Sequence, residues 1–472
     1  MNIQKSIRST CVNRRGACYL EPTIRFQFWL LSCASRREEA CCVNRRLCLL
    51  SLLVIGVGAV QASESPAVDL LSVDAAVTKA VRDNPSLAEM QSRYQALSEI
   101  PSQAGSLPDP MINFGAMNFP SDTFDRAQEP MTQLQLGASQ AFPFPGKLAL
   151  KQEAAEHDAK AAGHSVDEAR LQLVRRVKSG WWRLYYIDRA LETVDRNQAL
   201  LTQFIEVAKT KYETGEGLQQ DVLLAQLEFS KLIDQKIQLT AIRRQRAIQL
   251  NILMDQLPEL DIKLPQEVDR TLPGLASDTD LYLKAEQARP LIRQLETKVE
   301  AARSRFDLAK RHYYPDFMVG LTYGDRTGVN PMPRGGARSD FLSVMVGVKV
   351  PLYAGRKQSK AVAQRGLEVQ TSRYALLDER GLVRGAIAAS MTDYNRAKQQ
   401  LSLFETGIVP QAKQTVNSML AGYQVSEVDF LNLVRSQVTL FNYELQYWKA
   451  LSEAKQALAQ LEAAVGEETI YE

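Results

Sequence analysis

At 472 residues and 45% hydrophobic composition, the chain is long enough to bury a large core, on the scale of about three domains of ~150 residues each. The formal charge of +3 comes entirely from the first 62 residues, where nine Lys/Arg face three acids; the remaining 48 basic and 51 acidic residues leave no basic footprint for nucleic acid. All six cysteines lie at or before position 48, which excludes disulfides and thiol chemistry downstream.

In chain order, the first readable segment is Asn44-Arg45-Arg46, followed by the apolar run Leu47–Val60 and the small-residue site Val60-Gln61-Ala62. This is the pattern of a secretory signal peptide over 43–62, cut after Ala62. Its apolar run falls short of the ~20 residues a membrane-spanning helix needs. Cys-Val-Asn-Arg-Arg occurs at both 11–15 and 42–46, pointing to an over-extended start with Val43 as the initiator. No lipid anchor is expected.

Beyond the signal, the chain reads as two copies of one plan, 63–270 and 271–472, offset by about 205 to 211 residues. Asn84-Pro85-Ser86-Leu87 answers Arg289-Pro290-Leu291-Ile292, and Leu107-Pro108-Asp109-Pro110-Met111 answers Tyr314-Pro315-Asp316-Phe317-Met318. Phe142-Pro143-Phe144 answers Val350-Pro351-Leu352, and the stretch from Tyr212 to Gln226 answers that from Tyr423 to Gln437. Each half predicts helix, two strands, long helix, sharp turn and returning helix.

The strands are expected at about 110–118, 132–143, 316–324 and 341–350. Leu134, Leu136 and Ala138 alternate with Gln133, Gln135 and Ser139, and Leu342, Val344, Val346 and Val348 alternate with Ser343, Gly347 and Lys349. Period two marks a strand, and strands of about ten residues with one apolar and one polar face suit an outer membrane. A half-buried soluble sheet has the same alternation. In lipid, four strands cannot leave their edges unpaired, so they must close with copies of themselves, and three chains supply twelve.

Residues 147–211 contain no proline and only Gly163 and Gly180, which predicts one helix of about 100 Å at 1.5 Å per residue. Residues 356–422 are expected to repeat it. Returning helices are expected over 218–256 and 428–464, with a small mixed collar at 257–288. The fold class is therefore α+β membrane protein: a trimeric twelve-stranded barrel continued by a long α-helical barrel.

These residues, from about Leu71 to Gly466, resemble the TolC family of outer-membrane efflux proteins. Leu107-Pro-Asp-Pro-Met111, Glu129-Pro-Met131 and Phe142-Pro-Phe-Pro-Gly-Lys147 are similar to its heavy-metal branch. The resemblance implies a homotrimeric, passive export duct in the outer membrane that reaches through the periplasm. Its implied partners are a periplasmic membrane-fusion adaptor and an inner-membrane resistance-nodulation-division pump. It further implies adaptor docking at the helix turns, Gly215, Glu216, Gly217 and Leu218 in one half and Ser426, Glu427, Val428 and Asp429 in the other. A constriction is implied at Asp221, Asp429 and Asn432, although Asn432 and Arg435 stand where family members carry acids.

No phosphate loop, zinc motif or nucleophile elbow appears, so no enzyme and no cofactor are expected. His157 and His164 share one predicted helix with His312 far away, and the acids Asp167-Glu168 are expected on a solvated face. Met111, Met117, Met131, Met318 and Met345 all have the polar parity of their strands. Thioethers are soft ligands for monovalent copper or silver, though methionine also fills gaps in packing. Alternatives within the fold are multidrug efflux or type I secretion; outside it, a structural coiled-coil envelope protein, which would have no need of the strands, or a periplasmic enzyme.

Overall fold

The structure, a computed structural model, describes residues 70–467, 470 and 471. The expected signal peptide and all six cysteines lie outside the described residues. Three short helices, α1 (Val73–Asp83), α2 (Pro85–Ser98) and α3 (Ile100–Gly105), lead into β1 (Met111–Met117) and β2 (Gln133–Phe142). There follow α4 (Lys147–Glu213), which at 67 residues spans about 100 Å, and the returning α5 (Gln219–Leu253). The second half runs through α6 (Asp278–Ala288), α7 (Pro290–Arg311), β3 (Asp316–Asp325), β4 (Phe341–Lys349), α8 (Gln358–Leu403), α9 (Val409–Gln424) and α10 (Phe430–Val465).

The helix expected over 356–422 is not continuous. A π-turn over Phe404–Ile408 separates α8 from α9, and its wide hydrogen bond runs from the Val409 N–H to the Phe404 carbonyl. Pro410 supplies the reason: it has no N–H to donate and its ring crowds the preceding turn, so the helix widens there. The first half has no proline at the matching place, and α4 runs through unbroken.

Packing is organised around α4, which touches α1, α2 and α3, then α5, α7 and α10. Its aromatic knot is Trp181, Trp182 and Tyr185, with Trp181 and Tyr185 stacked 5.5 Å apart. The collar segment between α5 and α6 is pinned from both halves. The Tyr185 hydroxyl donates to the Gln266 carbonyl (3.1 Å) and the Tyr394 hydroxyl, on α8, to the Pro273 carbonyl (2.7 Å). Burial pushes the Tyr394 phenol up to about 12, so it remains a donor throughout the physiological range.

Cap residues before the two prolines do matching work. Asn84, the N-cap of α2, donates its amide to the Leu253 carbonyl at the end of α5 (3.0 Å). Arg289, the N-cap of α7, donates to the Ala464 carbonyl at the end of α10 (2.8 Å). Each bond satisfies a carbonyl that a helix terminus leaves without an intrahelical partner.

The sheet is an antiparallel meander in the order β1-β2-β3-β4. Its register runs straight across, so Met111, Ser139, Gly320 and Met345 form one row and Ile112, Ala138, Leu321 and Val344 the next. The outer edges of β1 and β4 have no partner strand among the described residues.

Candidate functional site: a two-faced sheet and two helix tips

Successive rows of the sheet alternate between faces. One face carries Ile112, Phe114, Leu136, Leu321, Leu342 and Val344; Phe114 is 76% exposed and Val344 70% exposed, so none of the described residues covers this aliphatic surface. The opposite face presents Asn113, Gln135, Ser139, Thr322 and Ser343 among glycines. Met111, Met117, Met318 and Met345 belong to this polar face by register. The Met318 and Met345 methyls each lie against a glycine on the neighbouring strand, Gly347 and Gly320.

Met131 is a correction: it stands in the turn before β2 and has no strand parity. Two contacts hold it there, from the Thr132 N–H to the Glu129 carbonyl (3.2 Å) and from the Asn118 amide to the Met131 carbonyl (3.2 Å).

At the far ends of the long helices, the two turns have the same backbone plan. The Glu216 N–H donates to the Lys211 carbonyl (2.8 Å) and the Glu427 N–H to the Gly422 carbonyl (2.9 Å). Each turn needs one residue with positive φ, Gly215 at +80° and Ser426 at +65°. Gly217 is fixed by space, since a Cβ there would come within 2.9 Å of the Lys211 side chain. Leu218, 60% exposed, and Asp429 are the N-caps of α5 and α10, and Glu216 and Glu427 point to solvent. Val428 packs against Gly422, where no larger residue fits.

The tips meet through side chains. Asp221, in the first turn of α5, has its carboxyl pushed up by burial, and the charge of Asp429 from the other hairpin adds to that push. The Tyr423 phenol is pushed up by burial and by Asp221. One acid from each hairpin therefore shares a field at this end, while Asn432 is exposed in the first turn of α10.

Sequence reasoning missed what joins the hairpins. The Lys211 ammonium donates to the Tyr423 carbonyl (2.7 Å) and to Ser426 Oγ (2.8 Å), and lies 4.9 Å from the Tyr423 ring centre. Higher up, the buried Gln437 amide donates to Asn197 Oδ1 (2.6 Å), joining α10 to α4. A readable sign existed for the first: a lysine precedes Tyr212, whereas a glycine precedes Tyr423.

Elsewhere, Glu168 is also a correction. It accepts both arms of the Arg289 guanidinium (2.9 and 3.2 Å) with its side chain only 14% exposed, because the N-cap of α7 is carried against α4. His157 faces Glu153 and His164 faces Asp167, both pairs within α4. His312 lies at the end of α7, near β3.

The profile of the family described as "Outer membrane efflux protein" matches residues 76–255 and 281–467. The chain belongs to this family. Outer membrane protein TolC of Vibrio cholerae is 22% identical over 424 residues, 87% of this chain and 95% of that one. The cobalt-zinc-cadmium resistance protein CzcC of Cupriavidus metallidurans is 22% identical over 188 residues, 40% of this chain and 42% of that one. The crystal structure of CusC superposes with a TM-score of 0.71 at 15% identity, over 84% of this chain and 92% of that one, and shares the fold. This efflux protein is accordingly a channel of the outer membrane of a Gram-negative bacterium, extending into the periplasm, and not an enzyme.

Proposed function

We propose that three copies of this efflux protein close into a passive duct that carries soft heavy-metal cations from the periplasm out of the cell. The observation that carries the reading is the sheet: among the described residues it has an uncovered aliphatic face, a polar face and two unpaired edges. Lipid suits the first face and water the second, and only ring closure with further copies satisfies the edges. Twelve strands result from three chains. Phe142, Phe144, Tyr314 and Phe317 at the helix end of the sheet, with Tyr323 and Phe341 at the other, supply the aromatic girdles of such a barrel.

The helices support the same closure. Helix α5 packs mainly on α4 and leaves Leu223, Leu227, Ile233 and Ile237 exposed; α8 packs on α7 and α10 and leaves Leu367, Tyr374, Leu377 and Leu382 exposed. Two different apolar flanks make a head-to-tail contact, which closes a ring when the rotation allows. The duplicated order of elements then gives the tunnel six similar hairpins.

In this reading Gly215–Leu218 and Ser426–Asp429 receive the periplasmic adaptor, and an inner-membrane resistance-nodulation-division pump supplies the energy. Asp221 and Asp429, with Asn432 beside them, form carboxylate rings at the entrance that favour cations. The metal cargo is supported by the thioethers of Met111, Met117, Met318 and Met345 on the face assigned to the lumen. CzcC, by its name a metal-resistance protein, points the same way.

The test is deletion of the gene in its host, with inhibitory concentrations recorded for copper, silver, zinc, cobalt and cadmium beside dyes and antibiotics. Metal sensitivity, rescued by the wild type but not by a chain with all four methionines changed to leucine, is the expected result. Sensitivity to organic compounds alone removes the metal reading.

A further inference from the structure

Where β4 passes into α8, a cavity of about 450 Å³ opens between the start of α4, the end of α7 and the segment 349–361. Lys147, His312, Lys349 and Lys357 line it, with Asp316 as the one carboxylate. That carboxylate is already committed: it accepts from the Lys147 ammonium (2.7 Å) and from the Phe144 N–H (2.9 Å). Lys147 is itself only 3% exposed and donates a second bond to the Tyr314 carbonyl (2.8 Å). Lys349 lies directly across the ladder from Asp316, yet neither Lys349 nor Lys357 has an ion-pair partner among the described residues. Leu352 and Tyr353, 81% and 77% exposed, form an apolar shelf beside them.

We propose that this junction cavity binds a phosphate-type anion, held by Lys349 and Lys357 with Lys147 as a fixed charge behind them. Two lysines that line one concave surface without an ion-pair partner among the described residues, beside an acid already consumed, leave a positive field that an anion neutralises. Burial first, and then the charges of Lys147, Lys151 and Lys357, hold the His312 imidazole below its usual range against the opposing pull of Asp316. The apolar shelf favours an anion that carries a hydrocarbon portion, so the phosphate belongs either to a soluble amphipathic molecule or to a lipid headgroup. The site stands on local geometry and is independent of the metal reading of the cargo.

The experiment is competitive lysine acetylation of the purified full-length protein, read peptide by peptide by mass spectrometry. Inorganic phosphate is the first probe, with chloride at equal ionic strength as its control. At a concentration ten times the dissociation constant, labelling of Lys349 and Lys357 falls about tenfold, as mass action requires, while Lys236 near the other end of the molecule is unchanged. A second arm compares nanodiscs of phosphatidylethanolamine alone with discs containing phosphatidylglycerol. Protection by phosphate assigns the site to a soluble anion, and protection by phosphatidylglycerol alone assigns it to a headgroup. In the folded Lys349→Gln chain the protection of Lys357 weakens. Equal labelling in phosphate and chloride, together with equal labelling in the two kinds of disc, overturns the proposal.

Discussion

Lys211 Nζ lies 2.8 Å from Ser426 Oγ, although the two residues belong to different hairpins and stand 215 positions apart. The same ammonium holds the Tyr423 carbonyl at 2.7 Å, so one side chain ties the turn after α9 to the end of α4. Hydrogen bonds made by a charged group contribute about 1.5–3 kcal/mol each when well formed. Lys211→Met keeps the length of the stem and removes the charge. Hydrogen exchange over 419–429 is expected to quicken by at least the equivalent of one such bond, and single-channel conductance in planar bilayers to rise. Unchanged exchange in the variant would show that backbone bonds alone hold the turn.

Asp221 makes the tips sensitive to acid. Its carboxyl is raised in the folded chain, so the folded state binds a proton more readily than the unfolded one. The strain of the charged form is present above the raised value and is relieved as pH falls through it toward the ordinary carboxylate range. Exchange protection of residues 218–225, corrected for intrinsic rates, should therefore increase on mild acidification. Asp221→Asn should hold the more protected level at every pH, and a wild-type profile that is flat would contradict the assignment.

Arg289 and Glu168 form a nearly dry pair with two hydrogen bonds, and Arg289 also caps the end of α10. Removing one partner strands the other, which costs about 3–5 kcal/mol. Glu168→Gln is expected to lower the thermal midpoint in detergent clearly, and Arg289→Met to lower it further because the Ala464 carbonyl loses its donor as well. The double variant should be less damaged than the sum of the two.

Pro410 sets the π-turn between α8 and α9. With alanine there, the missing N–H is restored and the steric conflict removed, so protection over 404–410 should rise by up to about 3 kcal/mol. If protection stays the same, the packing of Phe404 against Tyr443, with ring centres 6.2 Å apart, holds the wide turn instead.

How much of this was legible follows from what each feature depends on. Strand alternation and long runs without proline are local, so Gln133–Phe142 and Lys147–Glu213 could be read directly from residue order. Pro410 was equally local and was overlooked within the expected helix over 356–422. Met131 was misplaced because alternation alone does not say where pairing begins; the turn bonds of Asn118 and Thr132 decide that.

Residue order by itself determined the helices, the strand faces, the positions of the two turns and the family, because periodicity, proline and glycine act over a few neighbouring residues. Tertiary structure alone decided that Asp221 shares a field with Asp429, that Lys211 reaches Ser426, that Glu168 is buried under Arg289 and that Lys349 and Lys357 face one cavity. Each of these joins segments from about 120 to more than 200 residues apart, or places charges by the way a strand passes into a helix. Such proximity is created by packing α4 against α7 and α10, and no local pattern in the chain encodes it.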